Sequence, residues 1–376
     1  MNILLVNWQD PGHPQAGGAE IHLFEIFGRL AEHGHRIRLV CAGWPGAPPT
    51  ATLRGIAIER TGNRSTFAFV GRRAVRRALA RERPDILVED VNKLPLYLAW
   101  VTTLPLCVIV PHLFGTTAFR EVAWPMAAAV WLSERPIPWV YRRAGYHAIS
   151  ESTRDDLIRR GVPRDRIRVI HPGVDAKHYT PDSGVVRATP PAFLYVGRLK
   201  RYKGVDVAIR ALALARAEVP DLVLHIAGDG DDRARLEQVA GRLGLSAWVK
   251  FHGRVSEVEK IRLFRTSLAN VFPSPKEGWG ITVMEAAACG TPSLASDSPG
   301  LRDSVRDGVT GFLVPHGDTA ALARRMIELA GDPALVERLG VAARRHAEAL
   351  TWDDAAERTA RHLESLIEAN ASGTTP

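Results

Sequence analysis

At 376 residues the chain is too long for one ordinary domain and suits two of about 180 residues each. Its 46% apolar and 24% charged content is that of a soluble globular protein, and its three cysteines, Cys41, Cys107 and Cys289, lack metal-ligand spacing and read as buried thiols of a reducing compartment. The formal net charge of +8 falls entirely on residues 1–180, with 24 Lys+Arg against 16 Asp+Glu, whereas residues 181–376 balance at 25 against 25. That asymmetry implies an acidic partner for the first half: an anionic membrane surface, nucleic acid or a phosphorylated substrate.

The N-terminus, NILLVNW, reads as a first core strand without the basic n-region of a signal peptide, so a cytoplasmic location is expected. It runs into the loop DPGHPQAGGAE and a helix over Ile21 to His33. Gly17 and Gly18 precede that helix, where backbone could approach an anion, but their spacing does not match a dinucleotide fingerprint. The loop reads equally as a ligand contact and as a simple turn. The strand RIRLVCAG and a short strand around Ile56 to Glu59 follow. Gly71 to Arg83 is an amphipathic helix with Arg72, Arg73, Arg76, Arg77, Arg81 and Arg83 on one half and Ala74, Val75, Ala78 and Leu79 on the other. Its basic half is either a solvated face or a binding surface. After the strand PDILVED, the uncharged run Leu94 to Val110 is interrupted by Pro95 and Pro105 and is too short for a membrane span of roughly 20 residues; it reads as a buried helix followed by the strand LCVIV.

His112 lies just past that strand's end, where open α/β sheets bind ligands, as a hydrogen-bond partner, an acid/base or a structural residue. Val122 to Arg143 mixes Trp124, Trp131, Trp139 and Tyr141 with Arg135, Arg142 and Arg143, a composition of membrane interfaces and of internal helix pairs alike. YHAISEST is a strand with a helix N-cap, and RIRVIHPGVD is a strand running into a turn. Lys177 to Pro191 is the best linker in the chain. Beyond it the βα pattern restarts, predicting α/β architecture: two doubly wound Rossmann-like domains, residues 1–176 and 177–351, facing each other across a cleft. A final helix, 352–371, is expected to pack back on the first domain.

The densest chemistry lies between Pro273 and Ser298. The strand LANVF (Leu268 to Phe272) and a Pro-Ser-Pro turn precede Gly278 and Gly280, which open a helix over Ile281 to Cys289; the strand SLAS comes next. The free backbone N–H groups at such a helix N-terminus suit a phosphate. Glu277 and Glu285 frame the loop. A carboxylate beside phosphate repels it, so a functional Glu285 accepts the two hydroxyls of a vicinal diol such as ribose. The same residues also read as acids at a helix N-terminus and small residues packed on a sheet. In VGRLKRYKG, Arg198 and Lys203 follow the domain's first strand and suit a diphosphate, Arg as a fork and Lys as a point charge.

Glu277 and Glu285, with seven residues between them in EGWGITVMEAAACGTP, resemble the signature of the retaining family 4 glycosyltransferases of the GT-B fold. The order GGAE, a mid-domain His, HPGVD, GRL…KG, AGDG and RDGVTGFLVPHGD agrees over nearly the whole chain. The resemblance implies a nucleoside-diphosphate sugar donor and no bound cofactor. Arg198 and Lys203 would bind its diphosphate, Glu285 its ribose, Glu277 the sugar hydroxyls, and the backbone of Trp279, Gly280, Ile281 and Thr282 sugar and phosphate. Gly17 and Gly18 would meet the diphosphate, His112 the sugar and Val255 the base; His112, Glu277, Arg198 and Lys203 are the catalytic candidates. Trp279 stands where the family usually has Phe, and Pro299 precedes Gly300 where a glycine pair is common. Asp229-Gly230-Asp231 resembles the metal-binding Asp-x-Asp of other glycosyltransferases but lies in AGDG after a strand, and no metal is expected. The expected acceptor is a glycan or lipid-linked polysaccharide precursor, with peripheral attachment to the inner membrane face. Competing readings are a nucleotide-sugar epimerase or phosphorylase of similar fold, and a non-catalytic nucleotide-sugar- or nucleic-acid-binding protein. The basic half lacks the aromatic interleaving of an RNA reader, so no nucleic acid is expected.

Overall fold

The computed structural model describes residues 1–117, 119 and 124–373; Val122 and Ala123, which open the tryptophan-bearing stretch, lie outside them. Two compact units make up the chain, Met1–Pro172 with Trp352–Pro376, and Gly173–Thr351. Each is built on runs of Ile, Val and Leu that are buried along their whole length, as in Ile86–Asp90 and Ala192–Val196, the pattern of parallel strands covered on both faces by helices.

In the first unit, β1 (Asn2–Val6), α1 (Gly18–Glu32), β2 (Arg36–Gly43), β3 (Thr50–Leu53), β4 (Ile56–Asn63), α2 (Phe67–Glu82), β5 (Ile86–Asp90), β6 (Leu106–Val110), α3 (Trp124–Glu134), α4 (Ile137–Val140), β7 (Gly145–Ala148), α5 (Glu151–Arg159) and β8 (Ile167–Val169) follow in order. The eight-stranded sheet runs β3-β4-β2-β1-β5-β6-β7-β8, parallel except for the hairpin of β3 with β4. Ser150 caps α5, its hydroxyl accepting from Thr153 N. The expected helix within Leu94 to Val110 does not form. A single 3-10 turn, Leu98–Trp100, stands there, because Pro95 and Pro105 deny the run the backbone donors of a longer helix.

The second unit contains β9 (Ala192–Val196), α6 (Val205–Ala215), β10 (Val223–Ala227), α7 (Arg233–Arg242), β11 (Val249–Gly253), α8 (Glu257–Thr266), β12 (Ala269–Phe272), α9 (Ile281–Ala288), β13 (Ser293–Ser296), α10 (Leu301–Ser304), β14 (Gly311–Val314), α11 (Thr319–Gly331) and α12 (Pro333–Glu348). Its six strands are parallel in the order β11-β10-β9-β12-β13-β14. The stretch Lys177 to Pro191 lies within this unit, tied to it by Ala188 N donating to Thr266 O at 2.8 Å.

The last helix, α13 (Trp352–Ala371), belongs to the first unit. Trp352, Ala355, Ala356, Thr359, His362 and Leu363 form its buried stripe, at the i, i+3, i+4 spacing of a core-facing helix. Leu366 fills the space over Gly145, where a Cβ would come within 2.5 Å of it. Helix α13 also carries Asp353, Asp354, Glu357, Glu364 and Glu368. Counted by unit, the first therefore holds 25 Lys+Arg against 20 Asp+Glu and the second 24 against 21. The charge asymmetry read by halves of the sequence narrows accordingly, and the basic character of the first unit becomes local to α2, where Arg73, Arg76 and Arg77 are exposed.

His22 of α1, His147 of β7 and His362 of α13 are buried together. The rings of His22 and His147 lie 5.6 Å apart, and that of His22 lies 6.0 Å from Trp352. Burial holds His22 and His362 down to about 4 and His147 well below its ordinary value, with Arg168 and Arg358 adding to the effect. An unfolded chain takes up these protons near pH 6.5 and the folded unit does not. Their contribution to stability is thus complete above that pH and declines as pH falls from 6.5 toward 4. Urea melts at pH 7.5 and pH 5.0 should show the first unit losing stability at the lower pH, and His22→Phe should reduce the difference.

Candidate active site

The second sheet reverses its direction of growth between β9 and β12: β10 and β11 are added on one side, β13 and β14 on the other. Such a switch point opens a crevice at the carboxyl ends of the strands, because the loops after the two central strands leave toward opposite sides. The loop after β9 carries Arg198 and Lys203, and the loop after β12 carries Glu277 to Gly280. Side-chain hydroxyls stitch these loops: Ser274 Oγ donates to Lys203 O at 3.5 Å, and Ser298 Oγ, after β13, to Ser274 O at 2.9 Å. Gly204, with φ +67°, lies so close that a Cβ would stand 2.8 Å from Pro273 O. Gly300 is more constrained still. At φ +80° its missing Cβ would fall 2.2 Å from Glu277 O, while Glu277 N donates to Pro299 O at 3.1 Å. The Pro299-Gly300 pair is therefore the rest on which the Glu277 loop lies.

At this point Lys203 Nζ meets Glu277 Oε1 at 2.5 Å, both side chains nearly buried. Burial opposes the lysine's charge, but the Glu277 carboxylate and Tyr202 outweigh it and its pKa is raised. Arg198 is exposed, and among the described residues no salt bridge engages it. Helix α9 begins after Gly280, so the amides of its first turn, Ile281 and Thr282 among them, have no intrahelical acceptor. The Trp279 side chain is buried. Glu285, one turn on, is also buried, with Lys260 Nζ of α8 3.1 Å from its Oε2. Val255 is half-buried between the end of β11 and Ser256, which caps α8 by accepting from Glu259 N. Asp231 pairs with Lys200 at 2.7 Å and Asp229 accepts from Gly230 N at 2.9 Å, so each acid of the Asp-x-Asp has a protein partner. The sequence had drawn no attention to Lys260, Glu257 or Tyr179, which gather around Glu285.

In the first unit the switch point lies between β1 and β5. Gly17 and Gly18 follow β1 at the start of α1, with Gly17 N donating to Glu20 Oε2 at 2.7 Å. Glu20 in turn pairs with Lys93 at 3.5 Å, Lys93 Nζ donates to Gln9 Oε1 at 3.0 Å, and Asn92 Nδ2 donates to Asn7 Oδ1 at 2.9 Å. His112 stands two residues past β6, its ring 5.0 Å from that of Phe114.

Sequence and fold comparisons agree with this architecture. The family description "Glycosyltransferase Family 4" matches residues 16–178 and "Glycosyl transferases group 1" matches residues 180–346. D-inositol 3-phosphate glycosyltransferase of Streptomyces bingchenggensis is 30% identical over 388 residues, covering 93% of this chain and 85% of its own. Glycogen synthase of Mycobacterium tuberculosis is 29% identical, covering 96% and 94%. Sucrose-phosphate synthase from Thermosynechococcus elongatus superposes with a TM-score of 0.81 at 24% identity, covering 98% and 99%, and HepE of Anabaena, solved in complex with UDP-glucose, with 0.78 at 20%, covering 97% and 100%. The protein is thus a glycosyltransferase of the GT-B fold. It belongs to glycosyltransferase family 4.

Gly300→Ala places a methyl against Glu277 O at a backbone angle that alanine resists. It should cost about 1–3 kcal/mol of stability, measured by chemical denaturation, and lower transferase activity more than a Gly308→Ala control, where a Cβ meets nothing within 4 Å.

Proposed function

We propose that the chain moves a sugar, with retention, from a nucleoside-diphosphate sugar to a hydroxyl of a lipid-linked or polysaccharide-precursor acceptor. The observation that carries this reading is the Lys203–Glu277 contact at the switch point of the second unit, with Arg198 in the same loop and the N-terminus of α9 following. A diphosphate needs fixed positive charge, and a sugar ring needs an acceptor for its hydroxyls; the two are held here on loops tied together by Ser274, Ser298 and Gly300. HepE, of the same fold, is known in complexes with UDP and UDP-glucose, which favours a donor of this class.

In this reading Arg198, Lys203 and the amides of Ile281 and Thr282 take the diphosphate, Glu277 and the backbone of Trp279 and Gly280 the sugar, Glu285 the ribose, and Val255 the base. Gly17 and Gly18 serve the diphosphate from the first unit, and His112 serves the sugar. As the sugar–phosphate bond breaks, negative charge grows on the departing diphosphate. Preorganised cations and amides stabilise that charge without reorganisation, usually the largest contribution to such catalysis. The departing phosphate oxygen accepts the acceptor's proton on the same face, which retains configuration and leaves no covalent nucleophile to be sought.

The acceptor side rests on a surface of the first unit. Trp100 is 55% exposed, Trp139 62% and Trp124 73%, with Trp100 6.4 Å from Trp139 and Arg72 within 5.7 Å of the Trp100 ring. Exposed tryptophans beside the arginines of α2 suit the headgroup region of an anionic bilayer. Among the described residues no helix is long and apolar enough to cross a membrane, so the attachment proposed is to the surface.

Lys203→Ala should reduce turnover on the order of 10²- to 10³-fold, by analogy with the loss of a transition-state donor; near-normal turnover would refute the assignment. A thermal-shift panel of nucleoside diphosphates and their sugars should raise the melting temperature for one base above the others. In flotation with anionic liposomes, the protein should rise with the vesicles at low salt and Trp124→Ala/Trp139→Ala should not; a wild-type chain that stays in the pellet removes the membrane part.

A further inference from the structure

The cluster around Glu285 has no role in the reading so far. Glu285 is 7% exposed, and burial, the largest influence on it, pushes its pKa up. A carboxyl at this depth without a counter-charge takes a proton instead of staying charged. Lys260 Nζ stands 3.1 Å from Glu285 Oε2 and 3.0 Å from Glu257 Oε1. Among the described residues it is the cation within salt-bridge distance of Glu285. Oε2 is sealed from solvent on the Lys260 side, and Lys260 and Tyr179 both favour the charged carboxylate, which leaves Oε1 as the oxygen that can meet a ligand. Tyr179, from the segment that opens the second unit, donates to Glu257 Oε2 at 2.6 Å and sets its ring 5.0 Å from Lys260 Nζ. Glu257 adds negative charge that raises Glu285 further. The other groups on this side are committed elsewhere or remote: His178 is 3.9 Å from Glu257, Arg265 Nε donates to Thr180 O, Arg344 Nη1 donates to Ala288 O, and the Cys289 thiol on the same helix is held up by burial.

The geometry points to Lys260 as a positioning residue of the donor's ribose site, the counter-charge that lets a buried Glu285 accept both hydroxyls of a vicinal diol. This inference rests on the reading that Glu285 meets the ribose. An ionised carboxylate presents two lone pairs on Oε1 and accepts both hydroxyls as charge-assisted hydrogen bonds, whereas a protonated one loses that strength and can offer a donor where an acceptor is needed. In this reading Lys260 acts through the Glu285 carboxylate.

The test compares binding of UDP, ADP and GDP with that of their 2′,3′-dideoxy forms, by calorimetry from pH 6.5 to 9. The wild-type chain should prefer the ribose form on the order of 10-fold or more, as for hydrogen bonds to a charged group, with little change over this pH range. Lys260→Met should lose most of that preference at pH 7 and recover it as pH rises and Glu285 ionises, while Lys260→Arg should keep it. Lys260→Gln, which retains a polar donor without charge, serves if the methionine variant does not fold, and should behave like it. An undiminished preference at pH 7 in either neutral variant overturns the role of Lys260. If Glu285→Gln leaves the wild-type preference intact, it is the placement of ribose at Glu285 that fails, a separate result from the first.

Discussion

The ion pair of Lys203 with Glu277 is the interaction on which the chemistry proposed for the second unit depends. Sequestering two charges from water costs several kcal/mol per ion unless their mutual geometry compensates, and a contact of 2.5 Å supplies that compensation. Its value to stability is therefore small, and an apolar pair would serve packing as well. What it secures is a lysine that stays charged at depth, raised by its partner where burial alone would lower it. With Arg198 exposed in the same loop, the crevice carries two cations against one carboxylate. That surplus is the sign that the proposed diphosphate donor requires.

Such a pair is useful only if its loops do not move apart, and the fastening is by short serine hydroxyls and close backbone approach. Ser274, Ser298, Gly204 and Gly300 join the segments after β9, β12 and β13 through carbonyl oxygens, with no long side chain to reorder. Rigid supports of this kind keep donors aimed before the reaction begins, which is what makes electrostatic stabilisation effective. The price in sequence freedom is visible at Gly300, whose neighbouring carbonyl leaves no room for any side chain.

Much of the fold was legible because parallel strands buried on both faces are written as unbroken apolar runs. RIRLVCAG, SLAS and the closing helix from Trp352 to Ala371 have the limits that their patterns indicate. Local pattern failed where tertiary context decides. Leu94 to Val110 ends in the expected strand, Leu106–Val110, but its first part, apolar enough for a helix, forms only a 3-10 turn between its prolines. The hairpin strand Thr50–Leu53 is mostly exposed and has no apolar alternation to announce it, and its turn is Arg54 at φ +50° followed by Gly55 at φ +75°. Halving the sequence also assigned the acidic closing helix to the wrong charge balance. In the candidate site, Glu277, Glu285, Arg198 and Lys203 stand out through motif spacing alone. Lys260 and Tyr179 could not: Tyr179 meets Glu257 across 78 residues of chain, and nothing local marks a lysine in a helix as the partner of a buried acid.

The first unit shows how a glycine loop without a fingerprint can still be held in place. Gly17 and Gly18 have no dinucleotide spacing, and glycine pairs lose more conformational freedom on ordering than any other residues. Here the loop is fixed from behind. Glu20 accepts from Gly17 N, Lys93 neutralises Glu20, and Gln9 accepts from Lys93, so the loops after β1 and β5 are joined by one chain of polar contacts at the sheet's switch point. Burial and nearby cations hold Lys93 below its ordinary pKa, against the pull of Glu20, so the network has little reserve: neutralising the lysine would leave a buried carboxylate alone beneath the loop. The same constraint governs both units. In each, a glutamate and a lysine pair beside the sheet's switch point, and the backbone of the neighbouring loop is tied to that pair.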